Sequence, residues 1–168
     1  MPFGKRTNTE WCYLLGEFNV LVEGTERTLV PASGEIGFSD ISRQGLAFYG
    51  GNVIYDAEAE VPAGDMQIHV SHYRGALIRV AVDGEDQGVI AYAPYDLTVK
   101  NVTAGRHKIT LTLFGNRYNT FGALHDVENP VWVGPDLWRT KGDRWMYEYN
   151  LRETGILSGP VISVYKSV

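Results

Sequence analysis

The run His107-Lys108-Ile109-Thr110-Leu111-Thr112-Leu113-Phe114 decides the fold class. Successive side chains of an extended chain point to opposite faces, so Ile109, Leu111 and Leu113 share one side and Lys108, Thr110 and Thr112 the other. One face meets a core and the other meets water, as in a half-buried antiparallel strand. Working outward, Val53, Tyr55, Ala57, Ala59 and Val61 alternate with Ile54, Asp56, Glu58 and Glu60. Met66, Ile68 and Val70 alternate with Gln67, His69 and Ser71 after a turn at Pro62-Ala63-Gly64-Asp65. Ile78, Val80 and Val82 lead into Asp83-Gly84, a hairpin signal that returns the chain through Gly88 into Val89 to Tyr92. Leu97 and Val99 give a short strand, Trp145, Tyr147, Tyr149 and Leu151 share a parity, and Ile162 and Val164 lie on one side of a last strand. About eight to ten short strands at this spacing, with no amphipathic helix period, predict an all-β antiparallel β-sandwich.

The composition bounds what such a fold does. A chain of 168 residues with 44% hydrophobic content supports one core and one domain. The formal charge of −5 is dispersed, whereas nucleic-acid backbones are bound by clustered Lys and Arg, so no nucleic-acid partner is expected. The single cysteine, Cys12, rules out an internal disulfide framework and reads as a packed thiol in Trp11-Cys12-Tyr13-Leu14. No window approaches the roughly 18 apolar residues of a membrane-spanning helix, and no membrane partner is expected. The compartment stays open, because a targeting signal would belong to a longer parent.

Residues 115–144 break the strand rhythm. Structureless stretches beyond about 12 to 15 residues are uncommon in compact domains unless they carry function or pack as an extra layer. This one holds Tyr118, Phe121, Trp132 and Trp138 among Gly122, Pro130, Gly134, Pro135 and Gly142.

Two further runs carry a resemblance. Gln44-Gly45-Leu46-Ala47-Phe48-Tyr49-Gly50-Gly51-Asn52-Val53-Ile54-Tyr55, followed by Ala81-Val82-Asp83-Gly84 and Gly105-Arg106-His107-Lys108-Ile109, resembles galactose-binding-domain-like jelly rolls, which occur as sugar-binding-type modules of bacterial glycoside hydrolases. Gly115-Asn116-Arg117-Tyr118-Asn119-Thr120-Phe121-Gly122-Ala123-Leu124-His125 is similar to a signature of C-terminal modules in large glycosidase-like proteins. The resemblance implies a single β-sandwich module over residues 11–168, with residues 1–10 a linker or cloning remnant, cut from a larger enzyme. The segment from Glu10 to Val22 is similar to the strand that joins such modules to a preceding domain.

The implied function is a non-catalytic carbohydrate-binding module attached to a glycoside hydrolase, with the catalytic domain of the same polypeptide as partner. The alternative is a structural module that packs on that domain without a sugar site. A pyranose presents an apolar C–H face and a rim of hydroxyls, so its site needs a flat aromatic ring beside convergent polar groups. Trp132 and Trp138 are the first stacking candidates, then Tyr118 and Tyr49, while Arg117, Asn119, His125 and Arg139 are candidates to bond hydroxyls. In the competing reading the tryptophans cap one end of the sandwich and Arg117, Asn119 and His125 hold the loop through buried backbone hydrogen bonds, and Trp145 reads as core.

His69 and His72, three apart on a strand, point to opposite faces, which argues against a zinc site. The jelly-roll resemblance implies a possible structural calcium, with Asp40, Asp126, Glu128, Asp136 and Asp143 available in turns. Among 20 acidic residues no spacing marks the carboxylate pair of a glycosidase, and no nucleophile-elbow, metalloprotease or phosphate-loop motif occurs.

Overall fold

The computed structural model of the chain describes residues 14–32, 34–128 and 142–166. The alternating segments form the strands of two facing antiparallel sheets. The larger joins β3 (Val53–Val61), β9 (Gly105–Phe114), β6 (Leu77–Val82) and β7 (Glu85–Ile90) in that order, and the smaller joins β11 (Val161–Tyr165), β4 (Gly64–His69) and β8 (Asp96–Val102). Three connections, β3 to β4, β7 to β8 and β8 to β9, pass from one sheet to the other. The chain is an antiparallel β-sandwich.

The alternation seen in the sequence is the burial pattern. Val53, Tyr55 and Val61 of β3, Met66 and Ile68 of β4, Ile78, Val80 and Val82 of β6, and Ile109, Leu111 and Leu113 of β9 share one core. On the outer face of the larger sheet, Lys108 pairs with Asp56 at 2.9 Å, Arg106 with Glu58 at 3.4 Å and Arg79 with Asp86 at 3.6 Å. Such exposed pairs add little stability, so the fold rests on the apolar side. Each fully buried Leu, Ile or Val contributes about 1.5–3 kcal/mol.

The hairpin from β6 to β7 turns at Asp83 and Gly84, both with positive φ (51° and 86°), the geometry that matches strand twist across a two-residue turn. Asp83 also accepts Lys108 N–H at 2.9 Å and lies 2.6 Å from His107 Nδ1, while His107 Nε2 donates to the Thr103 carbonyl at 2.9 Å. This staple ties the hairpin tip to the start of β9. The bond to Asp83 raises the His107 pKa, and the bond to His107 lowers that of Asp83.

Several expectations are corrected. The return strand after Asp83-Gly84 ends at Ile90, and Tyr92 projects from the loop that follows. The first strand is β1 (Phe18–Glu23), which folds back through Gly24 into β2 (Glu26–Pro31), a partner that periodicity does not reveal because β2 is exposed on both faces. Two further strands, β5 (Tyr73–Arg74) and β10 (Gly155–Ile156), pair with each other and are too short to show a period. Trp145, Tyr147, Tyr149 and Leu151 form no strand and no core: Trp145 is 38% and Tyr147 75% exposed. Their segment has no ladder partner beyond an isolated bridge between Asp126 and Trp145.

Leu111→Ala is expected to lower stability by about 2–5 kcal/mol in urea unfolding, against under about 0.5 kcal/mol for Thr112→Ala on the opposite face. The staple gives a pH signature. His107, raised above its ordinary 6.5, stabilises fully below that value and loses its contribution as pH rises through the raised pKa. Asp83, lowered below 3.8, contributes above that value and loses its part as pH falls through the lowered pKa. The pair therefore stabilises most between about pH 4 and 6.5. The melting-temperature gap between wild type and His107→Gln should be widest near pH 6 and narrow as pH rises through the raised His107 pKa, and parallel profiles would contradict the staple.

Candidate functional site

After β9 the chain leaves the sheets and crosses one end of the sandwich. Gly115 must be small there, because a Cβ would lie 2.3 Å from the Gly51 carbonyl oxygen. A single helical turn, α1 (Tyr118–Phe121), follows. Asn119 within it is buried, and both ends of its amide are spent on one residue: Nδ2 donates to the Arg152 carbonyl at 2.8 Å, and Oδ1 accepts Arg152 N–H at 2.9 Å. Thr120 Oγ1 donates to the Phe48 carbonyl at 2.9 Å, and the Arg152 guanidinium lies 3.5 Å from the Tyr118 ring centroid. These contacts make the Gly115 to His125 signature a clasp between the crossing segment and residues 48–51.

A second clasp closes around Asp126, whose side chain is fully buried. Its Oδ1 accepts Glu128 N–H at 2.9 Å, its Oδ2 accepts Arg144 Nη2 at 2.7 Å, and its carbonyl accepts Asn150 Nδ2 at 3.0 Å. Glu128 Oε2 lies 3.1 Å from the same Arg144 nitrogen. Calcium requires several free oxygen ligands without a competing cation. Asp126 and Glu128 already face a guanidinium, and Asp40 accepts Ser42 N–H, Ser42 Oγ–H and Thr154 N–H. Among the described residues no group of three or more metal-ligating side chains converges. The described turn carboxylates do not fit the calcium that the resemblance implied, and Asp136 lies outside the described residues.

Between the clasps stands an aromatic stack. His125 Nδ1 donates to the carbonyls of Met146 and Glu148 at 3.0 and 3.2 Å; because a carbonyl only accepts, Nδ1 carries a proton. Trp145 stacks on this imidazole at 4.3 Å and 24°, Tyr149 lies tilted against it at 4.5 Å and 52°, and Tyr147 meets Trp145 edge-on at 6.5 Å. Arg27 of β2 lies 5.4 Å from the Tyr149 ring centroid and bonds its hydroxyl at 3.2 Å, while Phe48 packs edge-on against that ring at 5.0 Å. Tyr149 is thus consumed inside the stack, whereas Trp145 and Tyr147 present ring surface to solvent.

The stack borders a cleft of about 510 Å³ between the β1 end, Leu21 to Gly24, and the segment from Glu148 to Leu151. Asp40, Ser42, Arg43 and Glu153 complete its lining. Aromatic shelf and polar cleft together supply the two kinds of surface that a pyranose offers.

Of the candidates read from sequence, His125 lies in the shelf, Asn119 in the first clasp and Tyr118 beneath Arg152. Tyr49 is partly exposed, with its hydroxyl donating to the Asn52 carbonyl at 3.1 Å, and Arg117 is exposed at the start of α1. Trp132, Trp138 and Arg139 lie outside the described residues. Sequence reasoning assigned Trp145, in register with Tyr147, to a core, and the structure exposes both rings. The available signal was their two-residue spacing among Arg144, Glu148 and Asn150, which aligns rings on one side of an extended chain without the β-branched residues of a buried strand.

No family model matches the chain, and no curated protein matches it. Among solved structures, a rhamnosidase from Novosphingobium sp. PP1Y is similar over 96% of this chain and 16% of its own, with 16% identity and a TM-score of 0.52. A GH2 β-galacturonidase from Eisenbergiella tayi bound to glycerol covers 86% of this chain with 22% of its own, at 23% identity and a TM-score of 0.46. A β-D-glucuronidase from Dictyoglomus thermophilum covers 88% with 26%, at 16% identity and a TM-score of 0.40. At these identities the likeness is one of fold, carried by the rhamnosidase match. This chain spans about a sixth of that enzyme's length, so its fold is one that a glycoside hydrolase chain carries as a small part of itself.

Asn119→Ala removes both bonds to the part-buried backbone of Arg152, whose carbonyl also accepts Thr154 Oγ–H at 3.3 Å. Stability should fall by about 2–3 kcal/mol in urea unfolding, and a loss under about 0.5 kcal/mol would show that the clasp is not holding the segment.

Proposed function

We propose that this chain is a non-catalytic carbohydrate-binding module of a glycoside hydrolase, with its sugar site on the Trp145–Tyr147 shelf and the adjoining cleft. The observation that carries the proposal is a pair of solvent-facing rings, Trp145 and Tyr147, at the outer side of the His125 stack, whose Tyr149 lines a polar cleft. A ring held in advance loses little entropy when a sugar stacks on it, which favours binding at a shallow surface. The fold match to part of a rhamnosidase supports attachment to a glycoside hydrolase.

An ancillary role is supported by the small share, 16%, of the rhamnosidase chain that this fold matches.

A second reading rests on the β1–β2 hairpin. Leu21 and Leu29 are exposed on its opposite faces, and Leu14 and Leu15 are exposed just before it. An isolated two-stranded sheet with apolar residues in water is marginal by itself, which favours packing against the catalytic domain of the same polypeptide. The two surfaces share Leu21, which lines the cleft, so the readings are told apart by Trp145 and Tyr147, which lie outside the hairpin.

Titration calorimetry of the chain against mono- and oligosaccharides should give saturable binding with Kd of about 0.1–1 mM, or about 4–5.5 kcal/mol. Trp145→Ala and Tyr147→Ala should each weaken it at least about tenfold while leaving the melting transition cooperative. Loss in Trp132→Ala or Trp138→Ala alone would move the site to residues 129–141. No heat with any sugar on a folded chain would leave the structural-module reading.

A further inference from the structure

The cleft beside the shelf has an excess of one charge. Glu23 at the end of β1 and Glu148 and Glu153 across from it line the cleft with Asp40, against Arg43 as the lining cation. Four carboxylates and one guanidinium give a formal net charge of 1 − 4 = −3. Arg27, held against Tyr149 at the edge of the cleft, reduces this to −2. Asp40 is occupied by the N–H groups of Ser42 and Thr154 and has Arg43 Nε at 3.7 Å. Among the described residues, the ion pairs of the chain include none to Glu23, Glu148 or Glu153.

We infer that the sugar site of this module selects by charge: it takes sugar units without an anionic group and turns away uronic acids. The inference rests on the carbohydrate-binding reading and specifies its ligand class. Stacking on Trp145 does not make this distinction, because a neutral pyranose and its uronic acid share the same C–H face. The carboxylates make it. A uronate brought into the cleft adds a negative charge facing three exposed carboxylates that form no ion pair among the described residues, and their summed repulsion is least screened at low ionic strength. At a site this weak, a tenfold penalty, about 1.4 kcal/mol, separates a measurable ligand from an unmeasurable one.

The test titrates the full chain at pH 7 and low ionic strength with methyl glycosides of glucose and galactose, and in parallel with the matching methyl glucuronide and galacturonide. The uronides should bind at least about tenfold more weakly than their neutral parents. The gap should narrow in about 0.5 M salt, where the screening length falls from about 8 Å at physiological strength to a few ångströms. In a Glu148→Gln, Glu153→Gln double variant the ratio of uronide to neutral affinity should rise toward one; the salt series gives the same readout on wild type if that variant does not fold. Uronides that bind as tightly as neutral parents, or a ratio indifferent to salt, would overturn the charge inference and leave the sugar site standing. No binding of either kind would overturn the carbohydrate-binding reading, and the charge selection with it.

Discussion

A chain that leaves a β-sheet and crosses the end of a sandwich carries a peptide donor and acceptor at nearly every residue, and each must be paired wherever it is buried. The segment after β9 meets this constraint with side chains in place of a ladder. Asn119 serves the backbone of Arg152 in both directions, Asp126 and Asn150 close a second loop, and Asp40 receives Thr154 N–H from a residue 114 positions away. The exposed shelf exists because these amides and carboxylates hold its base. Without them, Trp145 and Tyr147 would be two rings on a free chain, and binding would bear the cost of ordering them.

The sandwich and the crossing segment divide the work. Leu111, Ile109, Ile78 and Met66 bury the apolar surface that makes the domain fold, and none of them approaches the shelf in role. The link between the two parts is polar and long-range: Tyr55 in the core accepts Ile156 N–H at 3.2 Å, and burial raises the pKa of that tyrosine so that its hydroxyl stays neutral. Its ring stacks with Phe38 at 5.2 Å, next to the turn that carries Asp40. Tyr55 and Phe38 thus tie the core to the turn beside the cleft, while the cleft itself is lined by residues outside the two large sheets. This is why a common fold does not determine a ligand.

Legibility in the sequence followed periodicity. β3, β4, β6 and β9 were readable because each has one dry and one wet face, and Asp83-Gly84 because the turn needs positive φ at both positions. β2, exposed on both faces, and the paired dipeptides β5 and β10 carry no period to read. In the site, His125 was legible as a polar residue in an aromatic loop, but its proton placement depends on two carbonyls more than 20 residues away. Asn119 was legible as polar and not as a double clasp. Trp145 and Tyr147 were misread because alternation alone does not distinguish a strand that enters a sheet from an extended segment held by side chains.

The central claim is that sugar stacks on the pinned shelf. Chemical-shift mapping on isotopically labelled chain during a titration with a neutral methyl glycoside tests it most directly. The account predicts saturable shifts of the Trp145 indole N–H and of the backbone amides of Tyr147 to Asn150, with the sandwich strands unmoved. Saturable shifts confined to the β1–β2 hairpin or to residues 129–141, with the Trp145 indole unchanged, would contradict it.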